Sequence, residues 1–258
     1  MIIKGEEKTD EEIIMYVNDY VKLIESVKED RFHDTVRTIP EVDRLSGLKA
    51  LDYGCGWGRL SISLRDKGYI VDGIDLFQNE IDICNLVWKD QDRITYAKKR
   101  ISEYEDSSFD LVLSTQVIEH VHNVGNYLSE INRVLKPGGG LVITLPNVVN
   151  PRFMLPMLSK NYKDLLLHIN KDVLNQYLKG SHHINAWDPT HFVTLLSTVG
   201  FKLHDYLPSE GVPFPKTTRY KKLLGHYWYT KRKNFRQLST TMIFRFEKVD
   251  EIRLGHED

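Results

Sequence analysis

The stretch Leu51-Asp52-Tyr53-Gly54-Cys55-Gly56-Trp57-Gly58-Arg59-Leu60 decides the fold of this chain. It joins a short apolar run to three glycines at alternate positions and then to a helical pattern. Glycines in such a loop let backbone N–H groups approach a ligand without a Cβ clash, and the positive end of the following helix attracts a carboxylate or phosphate. The stretch therefore predicts a loop that binds a nucleotide-like ligand.

A second strand-like run lies at Tyr69-Ile70-Val71-Asp72-Gly73-Ile74 and ends on Asp75. An acid at the tip of the second strand of a βαβ unit can accept hydrogen bonds from both hydroxyls of a ribose. Asp52, two residues before Gly54, supplies a second acid beside the same loop. The pair of acids predicts a ligand that contains adenosine.

These residues resemble the class I S-adenosylmethionine (SAM)-dependent methyltransferases, whose loop reads D/E-x-G-x-G-x-G. The dehydrogenase fingerprint is spaced G-x-G-x-x-G instead, and Arg59 stands where its last glycine would be. The resemblance runs from about residue 46 to 147 and extends in particular to the ubiquinone-biosynthesis O-methyltransferases. Its further motifs are Ser108-Phe109-Asp110-Leu111-Val112-Leu113, Val117-Ile118-Glu119-His120-Val121 and Leu135-Lys136-Pro137-Gly138-Gly139-Gly140-Leu141-Val142-Ile143.

From Leu48 onward, strand-like and helix-like segments alternate, which favours an α/β fold with a parallel sheet flanked by helices. The resemblance implies a Rossmann-like, mostly parallel sheet of seven strands with an antiparallel seventh strand. After the glycine loop we predict strands at 69–75, 93–97, 109–115, 141–145, 201–206 and 240–247. We predict helices at 59–67, 79–89 and 124–135, the last ended by Lys136-Pro137-Gly138, and a final core helix from the N-cap Asp188 to Gly200.

Two units are expected along the chain. Residues 1–45 form an N-terminal helical lid, in which Thr9 and Glu12 cap an amphipathic helix over 9–28; the alternative is a helix that only covers the sheet edge. Residues 46–258 form the SAM-binding domain, with a helical substrate roof over 147–188 after the fifth strand. A basic insertion over 208–238 lies between the sixth and seventh strands.

Composition narrows the function classes. The chain has 258 residues and a net charge of −1, so no global charge attracts it to nucleic acid or an anionic membrane. The only cysteines, Cys55 and Cys84, lack metal-type spacing, and we expect a reduced, cytoplasmic setting. No apolar run approaches the ~20 residues that span a bilayer, so we expect no membrane span.

The resemblance implies SAM as cofactor and S-adenosylhomocysteine as product, and it assigns a role to each residue of the site. The methionine side falls to Asp52, Gly54, Gly56, Gly58 and Gln116, the ribose to Asp75, and the two adenine faces to Leu76 and Ile101. For Asp52 the alternative role is to cap a helix or turn.

Candidate catalytic residues lie beyond the fourth strand and before the last core helix. Glu119 and His120 follow the strand predicted at 109–115, while His182 and His183 precede Asp188. A hydroxyl acceptor needs a proton acceptor or a metal to become a better nucleophile. His120 is our first candidate base and His183 or His182 the second, with Glu119 beside them. The alternatives are a capping role for His120 and ordinary loop polarity for His182 and His183.

The ubiquinone-biosynthesis O-methyltransferases and the small-RNA 3′-end 2′-O-methyltransferases share E-x-x-E-H after the fourth strand and a later His. In the RNA enzymes these acids and histidines hold Mg²⁺, so a metal site is an alternative here. Here Gln116 replaces the first acid. A neutral amide is a poor substitute for a carboxylate on a hard cation, so we expect no metal.

The expected function is SAM-dependent in-line methylation of an oxygen on an unidentified small or phosphate-bearing acceptor. Eight cations and no acid lie between Lys216 and Arg236, interleaved with aromatic residues. This basic stretch could grip a phosphorylated acceptor, an RNA end or a lipid head group, although we favour a solvated insertion. Alternatives are an RNA-end 2′-O-methyltransferase, for which nucleic acid is the partner, and a SAM-binding partner protein without catalysis. The oligomeric state is not indicated.

Overall fold

Seven strands form one mixed sheet in the computed structural model, which describes residues 2–3, 6–26, 31–150, 183–209 and 237–249. The strands are β3 Lys49–Tyr53, β4 Ile70–Asp75, β5 Ile94–Lys98, β6 Phe109–Thr115, β7 Leu135–Pro146, β8 Phe201–Ser209 and β9 Thr241–Lys248, after the short pair β1 Ile2–Ile3 and β2 Glu6–Glu7. Their order across the sheet is β5-β4-β3-β6-β7-β9-β8. Strands β3 to β7 pair in parallel, and β9 is antiparallel to both of its neighbours. The predicted Rossmann-like fold is confirmed.

Helices flank the sheet and pack on it through two hydrophobic clusters. They are α1 Asp10–Ser26, α2 Arg31–Thr38, α3 Arg59–Asp66, α4 Gln78–Val87, α5 Val124–Val134 and α6 Pro189–Thr198, with 3-10 turns at Arg44–Ser46, Ile101–Glu103 and Ile118–His120. Residues of β6 alternate between the clusters: Val112 joins the α5 and α6 side, whereas Leu111 and Leu113 join the α3 side. Burial on both faces explains why this strand reads as a continuous apolar run.

The junction between α5 and β7 differs from the prediction. The helix ends at Val134, and Leu135 already has extended backbone angles (φ −74°, ψ 137°). Pro137 has no N–H and excludes helical angles from the residue before it, while Leu135 pairs with Phe109 of β6. The strand predicted at 141–145 therefore begins at Leu135.

The N-terminal helix α1 begins with the predicted capping box. Thr9 N–H donates to Glu12 Oε2 over 2.9 Å, and Glu12 N–H donates to Thr9 Oγ1 over 3.3 Å. Ile13 and Val17 are buried against Ile83 of α4, so α1 lies on the same side of the sheet as α4. No helix among the described residues is long and apolar enough to cross a bilayer.

Parts of three predictions fall outside the described residues. They are most of the substrate roof (151–182, which includes His182), the core of the basic insertion (210–236, which includes Lys216 to Arg236), and residues 27–30 of the predicted N-terminal lid. The lid, the roof and the insertion therefore stay predictions.

Candidate active site at the carboxyl ends of the strands

The glycine loop connects β3 to α3 and has a left-handed backbone at each glycine. The φ angles of Gly54, Gly56 and Gly58 are +81°, +49° and +74°, values that L side chains rarely adopt. A Cβ on Gly54 would collide with Val117, whereas a Cβ on Gly56 would meet nothing within 4 Å. Gly56 thus faces open space, and the loop leaves room there for a ligand to approach its backbone.

Asp75, at the end of β4, is joined to this loop by hydrogen bonds. Its Oδ2 accepts from Gly56 N–H over 3.1 Å, and its Oδ1 accepts from Phe77 N–H over 3.0 Å. Each carboxylate oxygen retains a further lone pair beyond these bonds. The same carboxylate can therefore hold the loop and still accept hydrogen bonds from a ligand.

Asp52, within β3, is almost fully buried at 1% exposure. Its Oδ2 accepts a hydrogen bond from Ser61 Oγ over 2.6 Å. Burial raises the pKa of Asp52 to about 7, although the Ser61 bond opposes the rise. The alternative of a purely local capping role for Asp52 matches the Ser61 contact, but Asp52 also borders the cavity described next.

A cavity of about 1030 Å³ opens beside the glycine loop. One wall is the loop with the ends of β3, β6 and β7, and the other consists of side chains from α1 and α2. The lining residues include Tyr16, Asp19, Tyr20, Arg31, Phe32, Thr35, Asp52, Gly54, Gly56, Trp57, Arg59, Glu80, Thr115, Gln116 and Thr144. Side chains of α1 and α2 thus form the wall opposite the sheet.

Four predicted cofactor residues, Asp52, Gly54, Gly56 and Gln116, line this cavity. The other four, Gly58, Asp75, Leu76 and Ile101, lie outside its described lining. Leu76 is 59% exposed, whereas Ile101 is 5% exposed and belongs to the main hydrophobic cluster. The structure therefore brings four of the five methionine-side residues together at the cavity and leaves the two adenine-side residues in different environments.

Two arginines of the cavity wall escaped the sequence analysis. Arg31, at the start of α2, donates from Nη1 to Gln116 Oε1 over 3.3 Å, and Gln116 donates in turn to Thr144 Oγ1 over 3.2 Å. The guanidinium of Arg59 lies 3.4 Å from the ring centre of Phe32. Arg31 and Gln116 are 85 positions apart, and no pattern in the sequence links them. A cation at the cavity wall could pair with a carboxylate or phosphate.

An aromatic contact joins α1 to the glycine loop. The ring of Trp57 meets Tyr16 and Tyr20 edge to face, with ring centres 5.8 and 5.5 Å apart. Trp88 of the segment after α4 donates from its indole N–H to the Trp57 carbonyl over 2.7 Å. The loop conformation and the position of α1 are therefore linked through one side chain.

The structure brings Glu119, His120 and His183 together beyond the end of β6. One ligand-type atom from each lies within 4.8 Å of the other two, and the histidine rings are 5.0 Å apart. Glu119 is 1% exposed, and no other described residue donates a hydrogen bond to its carboxylate. Burial raises the pKa of Glu119 to about 7, and the charge of Arg31 opposes the rise. Such a cluster could accept a proton or hold a divalent cation.

Comparison with known proteins supports the assignment of the fold and family. Residues 51–143 match a family described as a methyltransferase domain. Over 120 residues the chain is 32% identical to the ubiquinone biosynthesis O-methyltransferase of Rickettsia bellii (strain OSU 85-389), a match that covers 46% of this chain and 50% of that protein. A match to the enzyme of the same name from Bradyrhizobium sp. (strain ORS 278) has 32% identity over 153 residues and covers 55% of this chain and 60% of that protein. The chain thus spans about half the length of the first of these curated relatives.

Solved structures share the fold over a longer range. A chain of the complex formed by the Trm112 methyltransferase activator of Haloferax volcanii superposes with a TM-score of 0.60 at 16% identity, and covers 84% of this chain and 88% of that one. A SAM-dependent methyltransferase from Mesorhizobium loti superposes with a TM-score of 0.55 at 17% identity, and the match covers 83% of this chain and 96% of that one. At this identity the likeness concerns the fold alone.

Proposed function

We propose that this chain, which belongs to the class I SAM-dependent methyltransferases and is distantly related to the ubiquinone-biosynthesis O-methyltransferases, methylates an oxygen of a small acceptor. SAM is the methyl donor of this family. The observation that carries the proposal is the open space in front of Gly56, between the loop that Asp75 holds and the cavity wall that Arg31 forms.

The residues present fit SAM. The loop backbone is open to a ligand at Gly56, where a Cβ would meet nothing within 4 Å, while the Gly56 N–H holds the Asp75 carboxylate in place. Asp75 retains acceptor capacity for the ribose hydroxyls, as in other adenosine-binding βαβ units. Arg31 offers a positive charge for the carboxylate of the methionine part, and the carboxyl oxygens of Asp52 offer acceptors for its ammonium. We assign Gly54, Gly58 and Gln116 to the same side and retain Leu76 and Ile101 as adenine neighbours.

The cavity has room for a second ligand. Sites for one small molecule measure roughly 300–1,000 Å³, and this cavity of about 1030 Å³ is at the upper limit of that range. Tyr16, Tyr20 and Phe32 give its outer wall an aromatic character. A planar phenolic acceptor suits such a wall, and the curated relatives are named as O-methyltransferases.

Bound SAM supplies an electrophilic methyl group on a sulfonium. The chain contributes mainly orientation, because in-line displacement needs the acceptor oxygen held in near-attack geometry. The Trp57 contact with α1 and the bond from Arg31 to Gln116 fix the cavity wall on the N-terminal side. A fixed wall would hold the acceptor oxygen in line with the sulfur–methyl bond.

His120 is the residue to which we assign the acceptor proton, with His183 as its partner or substitute. Both rings lie beyond the carboxyl end of β6 and outside the described lining of the cavity, and His120 follows the lining residue Gln116 by four positions. The buried Glu119 side chain lies beside them, where a carboxyl oxygen could orient an imidazole ring. The second way to activate a hydroxyl is a divalent cation held by Glu119, His120 and His183. Against it stand Gln116 in place of an acid and the nearby positive charge of Arg31.

Radiolabelled SAM with three acceptor probes tests the proposal: catechol, 4-hydroxyphenyl phosphate and a short single-stranded RNA. Methylation of a phenol supports it, and a requirement for the phosphate places the acceptor in the phosphate-bearing class. Methylation of RNA alone, with binding that weakens steeply in salt, would favour the RNA-end alternative. Tight SAM binding with no transfer to any probe favours the non-catalytic partner, and absence of SAM binding overturns the cofactor assignment. Loss of activity with a chelator and its return with Mg²⁺ would favour the metal route.

A further inference from the structure

We infer that Asn185 is the positioning residue that assembles the histidine pair, an inference that rests on the proposed role of His120 and His183. Asn185 does not belong to the cavity wall. It lies in the segment 183–188, which directly precedes α6 in the chain.

The turn Ile118–His120 has two backbone hydrogen bonds of its own, from His120 N–H to Val117 O and from Val121 N–H to Ile118 O, and this segment adds four more. A single 3-10 turn leaves most of its carbonyls without a partner inside the turn. Glu119 O accepts from Ile184 N–H over 2.8 Å and from Asn185 N–H over 3.1 Å. The side-chain amide of Asn185 donates to Ile118 O over 3.3 Å and to Val121 O over 2.6 Å.

Three of these four bonds come from Asn185, and its side chain uses both amide hydrogens. The carbonyls that it joins precede and follow the two site residues of the turn, Glu119 and His120. One side chain therefore fixes the turn on both sides of Glu119 and His120. Only an amide can do this at the same size, because aspartate offers no hydrogen to either carbonyl.

The other end of the segment is fastened to the sheet. Trp187 forms a bridge with Asn147, its carbonyl accepts from Val148 N–H over 3.2 Å, and its ring packs on Phe192 of α6. His183 lies two residues before Asn185 and is exposed, so burial does not fix its position. The bonds of Ile184 and Asn185 thus hold the segment that carries His183 against the turn that carries His120, and the two rings lie 5.0 Å apart.

The test compares Asn185→Asp with Asn132→Asp in the full chain. Asn132 also donates from its side-chain amide to a backbone carbonyl, Val199 O, over 2.9 Å, but far along the fold at the end of α6. With isotope-labelled histidine, the wild type should show a nuclear Overhauser cross-peak between the ring protons of His120 and His183. We expect the cross-peak to vanish in Asn185→Asp and to persist in Asn132→Asp, with an unchanged SAM Kd in both.

A cross-peak that persists in Asn185→Asp would overturn the inference. If that variant does not fold, Asn185→Ala removes the same two donors without adding a charge. The inference then requires that the cross-peak vanishes in Asn185→Ala. Comparable loss in Asn132→Asp would show a general structural effect and also overturn it. The proposed function fails separately, through absence of SAM binding in the wild type, which leaves the ring contact unaffected.

Discussion

Gly56 and Gly47 have the same backbone constraint in different surroundings. Both have positive φ, +49° and +70°, and a Cβ on either would meet nothing within 4 Å. Valine at either position should therefore cost a similar amount of stability, roughly 1–2 kcal/mol for a left-handed residue. Only Gly56→Val should also abolish SAM binding, because its side chain would project into the cavity. Paired calorimetry and thermal unfolding check this, and equal SAM affinity in the two variants would contradict it.

Asp75 joins the loop and the proposed ribose contact in one carboxylate. We expect Asp75→Ala to weaken SAM binding by one to two orders of magnitude, as ~1.5–3 kcal/mol for hydrogen bonds to a charged group implies, with the fold intact. Asp75→Asn keeps an acceptor at one oxygen, so its SAM affinity should lie between that of Asp75→Ala and that of the wild type. Titration calorimetry measures both. An unchanged Kd in Asp75→Ala would remove Asp75 from the ribose site.

His120 and His183 should separate binding from chemistry. If either is the general base, its alanine variant binds SAM normally and loses about 10²–10⁴-fold in turnover of the methylated probe. His204→Ala is the matched control, because His204 pairs with Glu247 on the edge strand, away from the cavity. Full turnover in both single variants and in the double variant would leave orientation alone as the source of catalysis. If the metal route holds, Glu119→Ala should be as damaging as His120→Ala.

At the scale of elements, α1 should stabilise the bound cofactor through Trp57. Each edge-to-face pair contributes about 0.5–1.5 kcal/mol beyond its buried area, so Tyr16→Ala and Tyr20→Ala should each weaken SAM binding by about 2- to 10-fold. Met15→Ala is the control, since Met15 is 62% exposed on the same helix. Stopped-flow tryptophan fluorescence and calorimetry follow the effect. Equal SAM affinity in all three variants would show that α1 only covers the sheet edge and does not stabilise the bound cofactor.

Elements and their contacts differ in how far the sequence predicts them. The bounds of β6 agree with the prediction because a strand buried on both faces has an unbroken apolar run. The start of α6 agrees because Asp188 accepts from Thr190 N–H and His191 N–H as an N-cap does. The bonds of Arg31 and Asn185 cross 64 to 85 positions. Nothing local in the sequence encodes them, because they depend on how finished elements pack.

At the scale of the whole molecule, Asp52 should make stability fall as the pH rises. Its pKa is raised from 3.8 to about 7 by burial, so the folded chain keeps a proton that the unfolded chain releases. This contribution is fully present below about pH 4 and is lost as the pH rises through about 7, with a slope of at most about 1.4 kcal/mol per pH unit. Urea denaturation across this pH interval should show that the free energy of unfolding falls less steeply with pH in Asp52→Asn than in the wild type. Identical slopes would show that Asp52 is ionised in the fold.

The chain leaves the sheet and returns to it at neighbouring points on two occasions. Val148 is bonded to Trp187 over 3.2 Å, and Ser209 pairs with Thr241 in adjacent strands. The fold thus joins the ends of both intervening stretches by contacts that lie outside them. If the chain is the methyltransferase that we propose, exchange of these stretches alone could admit new acceptors and leave the glycine loop as it is.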